Sequence, residues 1–241
     1  MSLCVHPWRS GRSVHFALRA AICFLMIAIA TPAMPQAKSS QPGNENVAPS
    51  GDQIWQSLMA GNERFIKGKP SAWDAVSRRQ LLENTQHPLI AVLSCADSRV
   101  PPEVIFDQEL GDLFVVRGAG NSSDPITVGS LEYAVEHLGT VMIVVLGHQS
   151  CGAVKAACSG EAMPTPNLEA VVEPIAKSCR VAKQRHGSED LVDFAVKDHV
   201  HETATDLLAH SEVLKRAHDE GKLSVVEAYY SLHSGIVTRL R

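Results

Sequence analysis

The sequence predicts an α/β fold: a three-layer domain with a mostly parallel central sheet flanked by helices, plus an N-terminal helical arm. Three observations carry this expectation. Short continuous apolar runs rich in β-branched residues recur at 88–95, 113–117 and 141–147, the pattern of strands buried on both faces. Between the last two, Val128, Leu131, Val135 and Leu138 share one helical face, which makes a βαβ unit with a crossover helix. The chain has 241 residues, enough after removal of a leader for one domain of ordinary size but not two.

Taken in order, positions 1–19 are basic without acids, and 20–30 form an apolar run of eleven residues, too short to span a bilayer. With small residues at Ala28, Ala30, Thr31 and Ala33, this reads as a secretory signal peptide over 1–33. Residues 34–52 are rich in Pro, Gly, Ser, Asn and Gln and read as a flexible linker. A single domain over 53–241 follows, expected to be periplasmic or secreted, with no membrane span once the leader is removed. A helix is expected over 52–67, with Asp52 available as its cap and Gly68 and Pro70 ending it. After the three strands, helices are expected at 152–159, 168–185 and 189–220, the last with one break, punctuated by Gly187 and Gly221. Residues 223–230 read as another strand and 236–240 as a short terminal one.

Composition narrows the function. At 45% hydrophobic and 20% charged the chain is an ordinary globular one. Three of its 22 basic residues and none of its 26 acidic ones lie in the first 37, which leaves 19 basic against 26 acidic, or −7. A binder of nucleic-acid phosphates carries the opposite sign. Four cysteines lie beyond the leader, Cys95, Cys151, Cys158 and Cys179, and in an oxidising compartment they allow three full disulfide pairings. Context separates them.

In open α/β sheets ligands bind beyond the carboxyl ends of strands. The first strand ends Cys95-Ala96-Asp97-Ser98-Arg99 and the third ends Gly147-His148-Gln149-Ser150-Cys151. Two strand ends thus deliver thiolate, imidazole and carboxylate to one edge, a donor set that suits zinc. With Cys95, Asp97, His148 and Cys151 all bound, the site would be closed. If Arg99 holds Asp97 by a paired, charge-assisted contact, the fourth position opens to water, whose pKa zinc lowers to about 7. Such hydroxide attacks a small electrophilic carbon.

These residues resemble the β-class carbonic anhydrase family, from about Gly61 to Leu240. The resemblance is carried by the segments 60–65 (AGNERF), 94–103 (SCADSRVPPE), 111–117 (GDLFVVR), 129–134 (GSLEYA) and 147–154 (GHQSCGAV). It implies one zinc ion per subunit on Cys95, His148 and Cys151, a catalytic Asp97 and Arg99 dyad, and reversible hydration of carbon dioxide to bicarbonate and a proton by zinc-bound hydroxide. By the same matching Gln86 is substrate-facing and Phe114 is an apolar wall of the substrate pocket. The resemblance also implies a homodimer or homotetramer whose N-terminal helices wrap the partner. Val92 stands where bicarbonate-regulated members carry Trp, which implies the uninhibited, open-site type. The chain departs from the family pattern at His199-Val200 and at 227–232 (EAYYSL).

Other features read more plainly. Cys158 and Cys179 have no ligand-like neighbours and are expected as buried thiols or a mutual disulfide. His199 and His201, two apart on a helix, point to different faces and read as solvated surface. The turn 118–121 (GAGN) lacks the third glycine of a nucleotide loop, and Arg78-Arg79 and Lys215-Arg216 read as solvated face charges. Two other functions share the donor set: hydrolysis of carbonyl sulfide or carbon disulfide, and a non-catalytic zinc-binding protein with a closed site. No Cys-x-x-Cys supports thiol redox chemistry.

Overall fold

The computed structural model describes residues 49–241. The expected leader, with Cys4 and Cys23, and nearly all of the expected linker lie outside the described residues. Among the described residues, no helix is long and apolar enough to cross a membrane.

The first helix, α1 (Gly51–Ile66), begins one residue ahead of the expected cap. Ser50, not Asp52, caps it: its side chain accepts from the Gln53 N–H while the Gln53 side chain accepts from the Ser50 N–H, a reciprocal capping box. Helix α2 (Ala75–Leu81) follows, with no buried residue, and then β1 (Ile90–Cys95). Arg78 on α2 is no free surface charge. It donates to the Leu110 carbonyl at 3.0 Å and to Asp112 at 2.7 Å, fastening α2 to the approach to the second strand. The short α3 (Pro102–Ile105), β2 (Leu113–Gly118), α4 (Pro125–Leu138) and β3 (Met142–His148) come next. Helices α5 (Gly152–Ser159), α6 (Pro166–His186), α7 (Leu191–His210) and α8 (Glu212–Asp219) precede β4 (Ser224–Tyr230) and β5 (Val237–Arg239). Lys215 and Arg216 on α8 pair with Asp219 and Glu136.

The strand order is β2-β1-β3-β4-β5, with β5 alone antiparallel. Alternation along the strands divides the core in two. Ile90, Val92, Met142, Val144 and Leu146 join Ile54 and Leu58 of α1 and Ile105 of α3. Ala91, Leu93, Ile143 and Val145 join residues of α4, α7 and α8. The layers are helix, sheet, helix.

This topology decides where a ligand can sit. The chain leaves β1 toward β2 on one side and leaves β3 toward β4 on the other. Its connections also depart on opposite faces, through α3 after β1 and through α5 to α7 after β3. The carboxyl ends of the adjacent strands β1 and β3 therefore flank a crevice at the topological switch point.

The arm is held at both ends. Asn62 of α1 donates to the carbonyls of Ile105 (3.1 Å) and Gly235 (2.9 Å) and accepts from the Val237 N–H (2.9 Å). Buried Asp107 accepts from Arg64 and from the Ser71 N–H and hydroxyl, and Asp52 pairs with Arg239 at 3.3 Å.

Candidate metal centre

Cys95 is the last residue of β1, His148 the last of β3, and Cys151 the N-cap of α5. Ser150, at φ 56°, turns the chain so that His148 and Cys151 face the same point. One ligand atom from each of Cys95, His148 and Cys151 lies within 4.8 Å of the other two. All three are buried, at 5%, 0% and 1% exposure.

The donor chemistry fits a zinc ion. His148 Nδ1 lies 2.9 Å from the Gln149 carbonyl; a carbonyl only accepts, so the proton is on Nδ1 and the lone pair on Nε2. That buried Nε2 has no hydrogen-bond partner, an arrangement costly unless something else binds it. Orientation of a ligating imidazole by a carbonyl on its other nitrogen is the usual support for a metal. Both thiols are free, and their sulfurs lie within 4.8 Å of each other. The neighbouring Cys151 thiol, with the N–H groups of Gly120 and Asp97, pulls the Cys95 thiol below its ordinary value against the opposing effect of burial. Contact with Cys95 and burial push Cys151 up, although the N–H groups of Val154 and Ala153 at the start of α5 favour its thiolate. A divalent cation bound there would displace the thiol protons and be held by two thiolates.

Asp97 stands apart from this group. Arg99 donates to it three times: backbone N–H and Nε to Oδ1, each at 2.9 Å, and a terminal guanidinium nitrogen to Oδ2 at 2.8 Å. The expected set of four ligands is thus not assembled; the carboxylate is turned to Arg99, the arrangement that leaves a fourth position open. The Arg99 guanidinium, with the Arg99 backbone N–H, holds the Asp97 carboxyl well below the usual carboxylate range against the opposing effect of burial.

Within one chain Gln86 and Phe114 are not brought to the centre. Gln86 is exposed at a surface cavity of about 660 Å³ that Tyr133 and His137 also line. Phe114 is paired with Ala91, four positions before the Gly118 that pairs with Cys95, and packs near Tyr133 with ring centroids 6.4 Å apart.

Several residues given no role by the sequence support the centre. Arg117 donates to the carbonyls of Cys95 (3.1 Å) and Asp97 (2.7 Å), fixing the backbone between ligand and dyad. The Gly120 N–H points at the Cys95 sulfur at 3.4 Å. His199 is not on a solvated surface: it is 3% exposed and its Nε2 lies 2.9 Å from the Gly120 carbonyl. His201 is partly exposed and pairs with Glu227. Cys158 and Cys179 form a disulfide, with Cα atoms 5.2 Å apart.

The family model described as carbonic anhydrase matches residues 90–237. "Carbonic anhydrase 2" of Mycobacterium tuberculosis is 42% identical over 185 residues, covering 75% of this chain and 88% of the relative. Among solved structures, the β-carbonic anhydrase CcaA superposes with a TM-score of 0.62 at 28% identity, over 77% of this chain and 87% of that one. A tetrameric β-carbonic anhydrase of Sordaria macrospora shares the fold with a TM-score of 0.62 at 23% identity, over 78% of this chain and 96% of that one.

Proposed function

The chain belongs to the β-class carbonic anhydrase family of enzymes, and on that premise we propose that Cys95, His148 and Cys151 hold one zinc ion per subunit and that the protein interconverts carbon dioxide with bicarbonate and a proton. The observation that carries this reading is a single one: two thiols and a partnerless imidazole nitrogen converge at the switch point while Asp97 is tied to Arg99. A closed, non-catalytic zinc site would need that carboxylate for itself.

A zinc ion there supplies Lewis acidity that makes water a nucleophile near neutral pH. The protein does the rest. Gln149 fixes the His148 tautomer that offers Nε2. Asp97 stays anionic across the working range, since Arg99 favours its charged form. Its Oδ1 takes two N–H donors and its Oδ2 one, so Oδ2 keeps an acceptor position for the O–H of the attacking water and aims its lone pair at carbon. A carboxylate held so acidic is an orienting acceptor and not a store for the released proton.

A homodimer, or a tetramer built from it, is the assembly in which Gln86 and Phe114, which stay off the centre within one chain, would line the centre of a partner; a tetrameric structural neighbour supports it. Strand β2 is an edge strand. A two-fold partner laid antiparallel along it brings Phe114, near the start of one β2, to the Gly118 end of the other, beside Cys95.

The leader pattern over 1–33 and the Cys158–Cys179 disulfide support an oxidising location, periplasmic or secreted. Stopped-flow carbon dioxide hydration, with zinc per subunit measured on the same sample, tests the function. Zinc-dependent turnover is expected, abolished together with most bound zinc in Cys151→Ser. Full zinc and activity in that variant, or a zinc-loaded wild type without turnover, would overturn it, and carbonyl sulfide would then be the substrate to try.

A further inference from the structure

Behind the metal centre lies a buried histidine that neither binds the metal nor faces the substrate. His199 projects from α7 into the core and places Nε2 2.9 Å from the Gly120 carbonyl and 3.2 Å from the Ser122 hydroxyl. Its Nδ1 has no partner. Since a carbonyl cannot donate, Nε2 carries the proton and the imidazole is the neutral Nε2–H tautomer. Burial pushes its pKa down, which favours the same neutral form.

Gly120 sits in a left-handed conformation, at φ 81°, which strains any other residue, and a Cβ there would press on its neighbours, 2.6 Å from Ile175 Cδ1 and 3.3 Å from Ala153 Cβ. Ile175 belongs to α6, and Ala153 follows Cys151 in the first turn of α5. The residue is thus wedged against the helix that carries one sulfur, and its N–H is aimed at the other, Cys95 Sγ, at 3.4 Å. A glycine has no side chain with which to hold that aim. The only side chain that grips its carbonyl among the described residues is His199.

We propose that His199 is a positioning residue for Cys95, acting through Gly120: by holding the Gly120 carbonyl it keeps the Gly120 N–H on the sulfur. The inference rests on the reading of Cys95 as a metal ligand. An N–H donor draws charge from a thiolate and lowers its basicity, so the imidazole sets both the direction and the electron-donating strength of this ligand. The sequence singled this position out as a departure from the family pattern, and burial gives the departure a task. Loss of such support around a metal ligand weakens metal binding roughly 10- to 100-fold.

The test uses cobalt(II) as probe in the otherwise intact protein, comparing wild type, His199→Leu and His199→Gln. Wild type is expected to show an intense sulfur-to-cobalt charge-transfer band. His199→Leu keeps the volume but has no donor; the band should shift, and cobalt and zinc should bind about 10- to 100-fold more weakly in chelator competition. His199→Gln puts an amide N–H where Nε2–H stood and should restore most of both. A folded His199→Leu with wild-type band and affinity overturns the inference, as does a Gln variant no better than Leu. A wild type with no thiolate–cobalt band sinks the metal-site reading itself and this inference with it, an outcome plainly different from the other two. Should His199→Leu not fold, nitrogen NMR of the wild-type imidazole decides. A neutral Nε2–H ring unchanged from pH 5.5 to 8 upholds the assignment, whereas a ring that titrates there, or carries its proton on Nδ1, refutes it.

Discussion

Replacing Cys158 and Cys179 together by alanine should cost the protein stability while leaving the zinc centre intact. Helix α5 has only eight residues, too few to persist on its own fixed helix propensity. Its first turn is tied to Cys151, and near its other end the disulfide joins it to α6 across 21 positions of sequence. The chain-entropy relation for a loop of that length gives about 3.3 kcal/mol of stabilisation from constraint of the unfolded chain. For a domain of this size each kcal/mol shifts the midpoint by about 2–4 °C, so the variant should melt about 7–13 °C below the oxidised wild type. Alanine is preferable to serine because Cys179 is buried and a hydroxyl there would add its own burial penalty. The assay is thermal denaturation of oxidised wild type, reduced wild type and the double variant at matched zinc content. Zinc per subunit and turnover at 25 °C should stay at wild-type values, because β1 and β3 place two of the three ligands. A midpoint within about 2 °C of oxidised wild type would show that α5 and α6 hold together by packing alone and refute the entropic account.

In Arg99→Ala zinc should be retained while turnover falls steeply, because Asp97 loses two of its three donors and swings free; wild-type turnover would reduce the pair to a surface ion pair. The same variant should lose part of the acid dependence of stability. Asp97 is depressed in the folded state, so its contribution is present above the ordinary carboxylate range and is lost as pH falls through the depressed value; urea midpoints from pH 3 to 7 check this. Gly61→Ala should destabilise by about 1–3 kcal/mol or more through overpacking, since its Cβ would lie 1.8 Å from the Phe106 carbonyl oxygen. A denaturation midpoint equal to wild type would show that α1 can move away from α3.

What could be read in the chain beforehand was whatever side-chain type and periodicity encode. The runs that became β1, β2 and β3 are buried or half-buried at every position but Arg117, so their apolar continuity showed directly. The ligands lay just past those runs because strand ends are where the chain leaves the sheet. Helix α2 left no periodic signature because it buries no residue. The support for Cys95 was invisible for a different reason: the group touching the sulfur is a backbone N–H, which no residue type announces. His199 looked like surface beside His201, yet α7 packs against both α6 and the sheet, and Ala195, Val196, His199, Val200 and Thr203 are all buried. A helix covered on that much of its circumference can bury a polar residue that a one-sided pattern would place outside. Spacing alone could not choose between thiols and a bridge for Cys158 and Cys179. Gln86 and Phe114 were singled out by the family resemblance alone, and within one chain they stay on the outer side of β2 and its approach, away from Cys95.

The position of the first turn of α1 has a practical use. A Cβ on Gly51 would touch Ser224 and Met142, the residues that open β4 and β3, whereas His148 closes β3. Six residue steps of strand, about 20 Å, separate the two ends of the sheet. A bead, electrode or gas-exchange membrane coupled chemically at Pro49 would therefore hold the subunit by the end of the sheet remote from the zinc centre, leaving the catalytic edge turned toward the flowing solution.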